Sequence, residues 1–415
     1  MSFIIGLLSG IFPAFYLSSI QALKVLKGKF TSSSSGEVLR RGLVTGQYFI
    51  AALLISGILL VYEQILFVKN KDIGFDRANL VNIKIPSDSV VNNHIDVYIN
   101  AIKTLPNVLS ASLTHIELHK ESNSFSPTLQ NDDGSTFQMG SDIMYVDAAF
   151  VPIIGAEIVA GRNFDKKVAR EAENSILINE AAAKKFGWEK NPLSGKFAGY
   201  TPNEHSKRNV IGVVKDFHLG VSYQLVHPTI IFLSQGGESN LYVRITGREM
   251  KSTMESMRTA WNKHFPNHGI EYSFIDQNLE ALYIKEDNFL TLLTGFCVIM
   301  LFIASLGIVG LISFTTQLKK REIAIRKVLG SSFGNIVAIL SGKFVFLLVV
   351  ANLLAVPATY YLIGFWLENF AYRIELRPGP FMVPFLICIL FTGVSIFYHT
   401  VQAALANPVD TLKCE

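Results

Sequence analysis

His115, Glu117 and His119 lie within five residues and form a pattern that could hold a metal ion. Alternate residues of a β-strand share a face, so a strand here would present two imidazoles and a carboxylate together. Zinc accepts such donors. The spacing is not the helical H-E-x-x-H arrangement, and no further ligand stands nearby in sequence. An alternating strand with a wetted polar face therefore competes with a metal centre, and no metal ligand is assigned. His218, in KDFH, reads as a structural or surface histidine rather than a catalytic one. The chain has no G-x-x-x-x-G-K-[ST]; LSGK (193–196) and SGKF (341–344) lack the upstream glycine spacing of a phosphate cradle. Nothing matches a kinase signature set or a G-x-S-x-G elbow. No catalytic or cofactor-binding residue is assigned, and the chain is not expected to be an enzyme.

Polar side chains inside apolar runs are costly, and they usually carry function or hold helices together. Gln47, Glu63, Gln64 and Asn352 are of this kind. Glu63 and Gln64 sit near the end of their run, so snorkelling to the interface competes with a role in helix contacts or a lever joint. No chain of acids crosses the apolar runs, so a proton relay is not expected.

Those runs define the class. Half of the 415 residues are apolar and only 17% are charged, and mean hydropathy is +0.34. Such a chain belongs with membrane proteins. A net charge of +4 is too mild to argue for nucleic acid. Of the three cysteines, Cys297 and Cys388 fall in apolar runs and Cys414 is near the C-terminus, so no disulfide framework is available to the polar middle.

Five segments can span a bilayer: about 3–21, 44–68, 289–316, 338–366 and 381–405. The first lacks the cationic start of a signal peptide and reads as a retained helix. Lys24, Lys27, Lys29, Arg40 and Arg41 separate the first pair, and Lys319, Lys320, Arg321, Arg326 and Lys327 separate the third from the fourth. Positive-inside places both loops in the cytoplasm. Residues 69–288 and 367–380 then lie outside, and the tail 406–415 inside.

The outer insert reads as mixed α/β. Strands are expected at 80–85, 108–118, 209–217, 229–234 and 240–246, with helices at 94–105, 178–187 and 250–265. The stretch of about 120–225 reads as an inserted subdomain. The expected fold is an α-helical transmembrane bundle of about five spans with a large mixed α/β extracytoplasmic domain.

Between the third and fourth spans stands QLKKREIAIRKVLGSS (317–332). As a helix it places Leu318, Ile325, Val328 and Leu329 on one side and Lys319, Lys320, Arg326 and Lys327 elsewhere. Gly330 ends it, and Ser331 or Ser332 caps the next helix. This predicts a short amphipathic helix at the cytoplasmic surface. It would rest on anionic lipid or dock a cytoplasmic partner.

REIAIRKVLGSS followed by an apolar span resembles the cytoplasmic signature of FtsX-like ABC transporter permeases. VDAAFVPIIGAEIVAGRNF (146–164), ILINEAAAKKFGW (176–188) and NVIGVVKDFH (209–218) resemble a MacB-like periplasmic core domain. QILFVKNKDIGFD (64–76) resembles the helix-to-domain junction, and WLENFAYRIEL (366–376) the outer loop before the last span. The resemblance implies a span at 44–68, a periplasmic core at 69–288, and an FtsX-like permease domain at 289–405. It implies a second permease unit, identical or not, and a cytoplasmic ABC ATPase that binds the ATP. The coupling residues would be Arg321, Glu322, Ile325, Arg326, Lys327, Leu329 and Gly330. Gln47, Glu63 and Gln64 would belong to the stalk. Closure of the ATPases would move the outer domain by mechanotransmission, for export or extracytoplasmic handling of a substrate at the bacterial inner membrane.

The family unit has four spans, so the span at 1–21 and the linker at 22–43 read as the end of a preceding unit. Leu23, Leu26 and Lys27 echo Val409, Leu412 and Lys413. The chain is thus expected to be the C-terminal portion of a double-length permease. Two other classes compete. One is a membrane sensor with an extracytoplasmic ligand-binding domain, whose expected cytoplasmic signalling region finds little room here. The other is a membrane-anchored enzyme, for which His115, Glu117 and His119 are the candidate constellation.

Overall fold

The computed structural model describes residues 34–120, 124–201, 207–220, 225–328 and 331–405. In chain order the elements begin α1 (Ser34–Lys69), β1 (Leu80–Lys84), α2 (Ser89–Lys103), β2 (Val108–Thr114), β3 (Ser124–Phe125), β4 (Thr128–Gln130), β5 (Thr136–Gln138) and β6 (Ser141–Val146). There follow α3 (Phe150–Ile153), β7 (Ile158–Gly161), α4 (Glu171–Asn174), β8 (Ser175–Asn179), α5 (Glu180–Lys185), β9 (Lys196–Gly199), β10 (Arg208–Val214), β11 (Thr229–Leu233) and β12 (Asn240–Ile245). The chain continues through α6 (Met250–His264), β13 (Glu271–Phe274), α7 (Ile275–Ala281), α8 (Ile284–Val328), α9 (Phe333–Leu367) and α10 (Gly379–Leu405). Two compact units result. The mixed unit holds Tyr62–Leu290 and Phe365–Glu375, and the helical unit holds Thr291–Gly364 with the helical residues up to Val61 and from Leu376.

Among the described residues, three helices are long and apolar enough to cross a membrane: Arg40–Lys69, Ile284–Thr315 and Ser341–Leu367. Gly379–Val394 is a shorter apolar stretch. The span expected at 3–21, the linker up to residue 33 and the tail 406–415 lie outside the described residues. Val44 and Tyr48 pack with Ala304, Ile308, Leu311, Leu348, Ala351 and Cys388. Tyr48 Oη lies 3.1 Å from Thr392 Oγ1 in this core. Large apolar side chains such as Phe296, Phe302, Leu353 and Phe365 stay exposed, as suits helices solvated by lipid.

The separate short helix expected at 317–332 is corrected. Those residues continue α8, a 45-residue helix that begins at Ile284. Gln, Leu, Lys, Arg, Glu and Ala are good helix formers, and no breaker stands between Thr315 and Val328, so nothing stops the helix where its apolar run ends. Ser332 then caps α9: the Asn335 N–H donates to Ser332 Oγ at 3.4 Å and to its carbonyl oxygen at 3.1 Å.

The mixed unit is built on one sheet, ordered β13-β1-β12-β2-β6-β11-β8-β10-β9-β4-β5, with β3 on β6 and β7 on β10. Its first four strands alternate in direction. With α2 and α6 they make two split βαβ units, the β-α-β-β-α-β pattern. Val91, Ile95, Tyr98, Ile99 and Ile102 repeat at helical spacing on α2 and meet Val81, Ile83, Leu241 and Val243. Tyr98 and Trp261 meet edge to face, 5.1 Å apart at 87°. Asp88 caps α2 by accepting from the Val90 N–H at 2.7 Å.

The segment between β2 and β12 forms the rest of the sheet. It is a larger insert than the 120–225 expected from sequence. Strands β8 and β11 are buried throughout, because one core covers one face and a second covers the other. Two sequence expectations fail here. Strand β2 stops at Thr114, so His115, Glu117 and His119 lie in a turn rather than along a strand. The helix expected from Ile178 begins at Glu180, since Ile178 and Asn179 finish β8.

Candidate functional site: a glutamine-locked joint

Gln64 is wholly buried in the last two turns of α1. Its Nε2 donates to the Tyr372 carbonyl at 2.7 Å, and its Oε1 accepts from the Ile374 N–H at 2.9 Å. Paired residues of adjacent strands exchange donor and acceptor in the same way. The side-chain amide thus stands in for a peptide group, and the α9–α10 connection docks on it as on a strand edge. Neither Tyr372 nor Ile374 lies in a helix or strand of its own, so Gln64 satisfies backbone groups that would otherwise be costly to bury.

One turn further along α1, Val68 packs with Tyr283 and Phe370, flanked by Leu282 and Trp366. Lys69 Nζ reaches both carboxylate oxygens of Asp287 at 2.9 and 2.8 Å. The end of α1, the start of α8 and the α9–α10 connection are therefore fastened at one place in the mixed unit.

The chain leaving α1 continues the joint. Lys71 sits over the ring of Tyr372, and the buried His218 ring meets the same tyrosine edge-on at 5.5 Å. The His218 N–H donates to the Ile73 carbonyl at 2.8 Å. Gly74 lies between them at φ +79°, and a Cβ there would come within 2.1 Å of the Asp216 carbonyl oxygen. Only glycine permits so close a crossing of two backbones.

Burial lowers the Lys71 pKa. It also lowers that of His218, where Lys71 repulsion adds and the Asp72 charge opposes. The folded joint thus favours neutral His218. Above the ordinary histidine pKa of about 6.5, folding carries no proton penalty from this ring. As pH falls through that value the unfolded chain takes up the proton first, and stability is lost until the lower folded pKa is passed. Thermal melts of wild type and His218→Gln should therefore diverge as pH drops below about 6.5, with wild type losing more. A constant difference from neutral to acid pH would rule out this account.

The expected stalk residues do not converge. Glu63, next to Gln64, is exposed, because successive helical residues point about 100° apart. Gln47 belongs to the helical unit, where its Oε1 is buried without a hydrogen-bond partner. A Cβ on Gly307 would come 2.6 Å from that oxygen. Asn352 Nδ2 donates to the Leu348 carbonyl of its own helix at 2.9 Å. Of the expected coupling residues, Arg321 and Lys327 lie in the last turns of α8. Glu322 and Arg326 pair there at 2.7 Å, and Ile325 is exposed. Leu329 and Gly330 lie outside the described residues. Among the described residues no three His, Cys, Asp or Glu side chains group as a metal site. Lys69 and Asp287 escaped the sequence reading. The apolar run ending at Lys69 was the only signal for either.

Residues 294–408 match the family model described as FtsX-like permease C-terminal. No curated protein matches the chain. The chain is similar to the periplasmic region of MacB from Actinobacillus actinomycetemcomitans, at 15% identity and a TM-score of 0.36, covering 52% of this chain and 98% of that one. It is also similar to the extracellular domain of the ABC-type transporter YknZ from Gram-positive bacteria, at 15% identity and a TM-score of 0.31, covering 47% and 98%. The helices from residue 294 onward thus match an FtsX-like permease C-terminal domain.

Proposed function

We propose that the chain is the permease subunit of an ABC transporter of the MacB, FtsX or lipoprotein-release type. A separate cytoplasmic ATPase binds and hydrolyses ATP, and the permease turns that cycle into movement of its extracytoplasmic domain. The match of residues 294–408 to the FtsX-like permease domain is the observation that carries this reading. The cation-rich end of α8, with Ile325 exposed among Glu322 and Arg326, is the docking surface for the ATPase. A second permease unit completes the assembly, which sits in the bacterial cytoplasmic membrane with the 69–288 domain outside, a reading that the placing of the cations supports. Substrate is handled on that outer side. The Gln64 joint passes displacement of the helices to the α9–α10 connection and the 72–76 crossing.

Reversing two charges tests the coupling. Arg326→Glu with Lys327→Glu should abolish ATPase stimulation in the co-purified complex while membrane insertion stays intact. Unchanged association and unchanged stimulation would overturn the assignment of this helix end.

A further inference from the structure

The turn carrying Glu117 and His119 has a use that metal chemistry does not explain. On β1, Val81 and Ile83 face the helix-side core, so alternation turns Asn82 to the opposite face. Asn82 is 1% exposed. Its Nδ2 donates to Asn240 Oδ1 at 3.1 Å, but its own Oδ1 has no hydrogen-bond partner. It lines a cavity of about 520 Å³, walled by the 117–120 turn, strand β13 and Asn278 of α7. The Leu118 N–H donates to Tyr242 Oη at 2.8 Å, which pins the turn over the sheet.

The wall groups are largely spoken for. The Glu117 carboxylate takes Lys120 Nζ at 2.9 Å and His119 Nε2 at 3.2 Å. Asn278 Nδ2 donates to Ser273 Oγ at 2.7 Å and faces His119 Nδ1 at 3.5 Å. That leaves a bare acceptor at the floor and, at the rim, the exposed Lys84 and Glu271 directly opposite each other across β1 and β13. Burial keeps His119 neutral, so it adds no charge. The cavity therefore offers one cation, one anion and one unmet acceptor.

A ligand that satisfies all three carries an N–H donor together with both charges. We propose that this cavity binds a small zwitterion of the α-amino acid type, its ammonium shared by Asn82 Oδ1 and Glu271 and its carboxylate held by Lys84. This inference does not rest on the transport reading.

The test is calorimetry on the full chain in lipid nanodiscs, with L-alanine as the probe and methylammonium chloride and sodium acetate as single-charge controls. Saturable alanine binding is expected, at least tenfold weaker in Lys84→Gln and in Glu271→Gln and absent for both controls. Both substitutions lie on the exposed rim, so the fold should survive them. The absence of saturable alanine binding, equal affinity for either control, or unchanged affinity in both variants would overturn the proposal.

Discussion

Replacing Gln64 by leucine is expected to release the Ile374 amide to hydrogen exchange. The leucine fills the buried space but offers neither of the bonds that Gln64 makes to Tyr372 and Ile374. Both backbone groups would then face a side chain that also keeps water out. A buried polar group left unpaired costs roughly 1–3 kcal/mol, and for two groups on half-buried residues the lower end applies, about 2–3 kcal/mol together. That exceeds the local stability of most surface connections, and the α9–α10 connection should detach before the fold fails. Exchange at Ile374 should accelerate by a factor of about 100. Gln64→Glu should also fail, because it keeps an acceptor but aims a carboxylate oxygen at the Tyr372 carbonyl. Lys69→Met is the comparison: it removes a pair whose side chains are 27% and 52% exposed, and such pairs contribute about 0–1 kcal/mol. Unaltered exchange at Ile374 in Gln64→Leu would show that the connection is held by something else.

The second large effect is expected at Gly74. A methyl group there meets the Asp216 carbonyl oxygen at 2.1 Å and the Phe217 Cα at 2.7 Å, both backbone atoms. No side chain can swing aside, so the 216–218 segment must move and the His218 to Ile73 hydrogen bond goes with it. Gly187 supplies the contrast. Its φ of +76° is nearly the same as that of Gly74, yet nothing lies within 4 Å of its added Cβ. Gly187→Ala should therefore cost only the left-handed strain, about 1–2 kcal/mol. Gly74→Ala adds the steric displacement and should cost about 3 kcal/mol or more, enough to lower the melting temperature of a unit this size by roughly 6–12 °C. Equal melting temperatures for the two variants would refute the crossing geometry.

Much of the fold was readable where one face is wet. The α2 residues Val91 to Ile102 keep helical spacing with exposed residues between them, so the helix declares its type. Strand β8 hid because Ile178 and Asn179 run straight into the helix formers that begin at Glu180, so the helical pattern absorbed the end of the strand. Strands β7 and β13, IVAG and EYSF, are too short and too mixed to announce themselves.

At the joint, the buried amide of Gln64 was conspicuous inside an apolar run, but its partners were not. They are backbone groups more than 300 residues away, and any residue type supplies those. The Lys69 to Asp287 pair likewise joins two ordinary surface charges that only the folded chain brings together. The strand expected through His115 was wrong because alternation of residue types continues past Thr114 while the pairing partner does not: β12 meets β2 only as far as Thr114.

The interruption of the four-stranded half between β2 and β12 also constrains how the molecule is made. In the finished sheet β12 lies between β1 and β2. A ribosome that has delivered the chain as far as Leu233 has supplied every strand of the insert. It has supplied only two of the four strands that flank it, and those two are not neighbours. Val81, Ile83 and Leu113 then wait, with their apolar faces bare, for Leu241 to Ile245 to emerge. The later segment of the message completes the earlier one, and whatever shelters the nascent chain must hold β1 and β2 apart until it does.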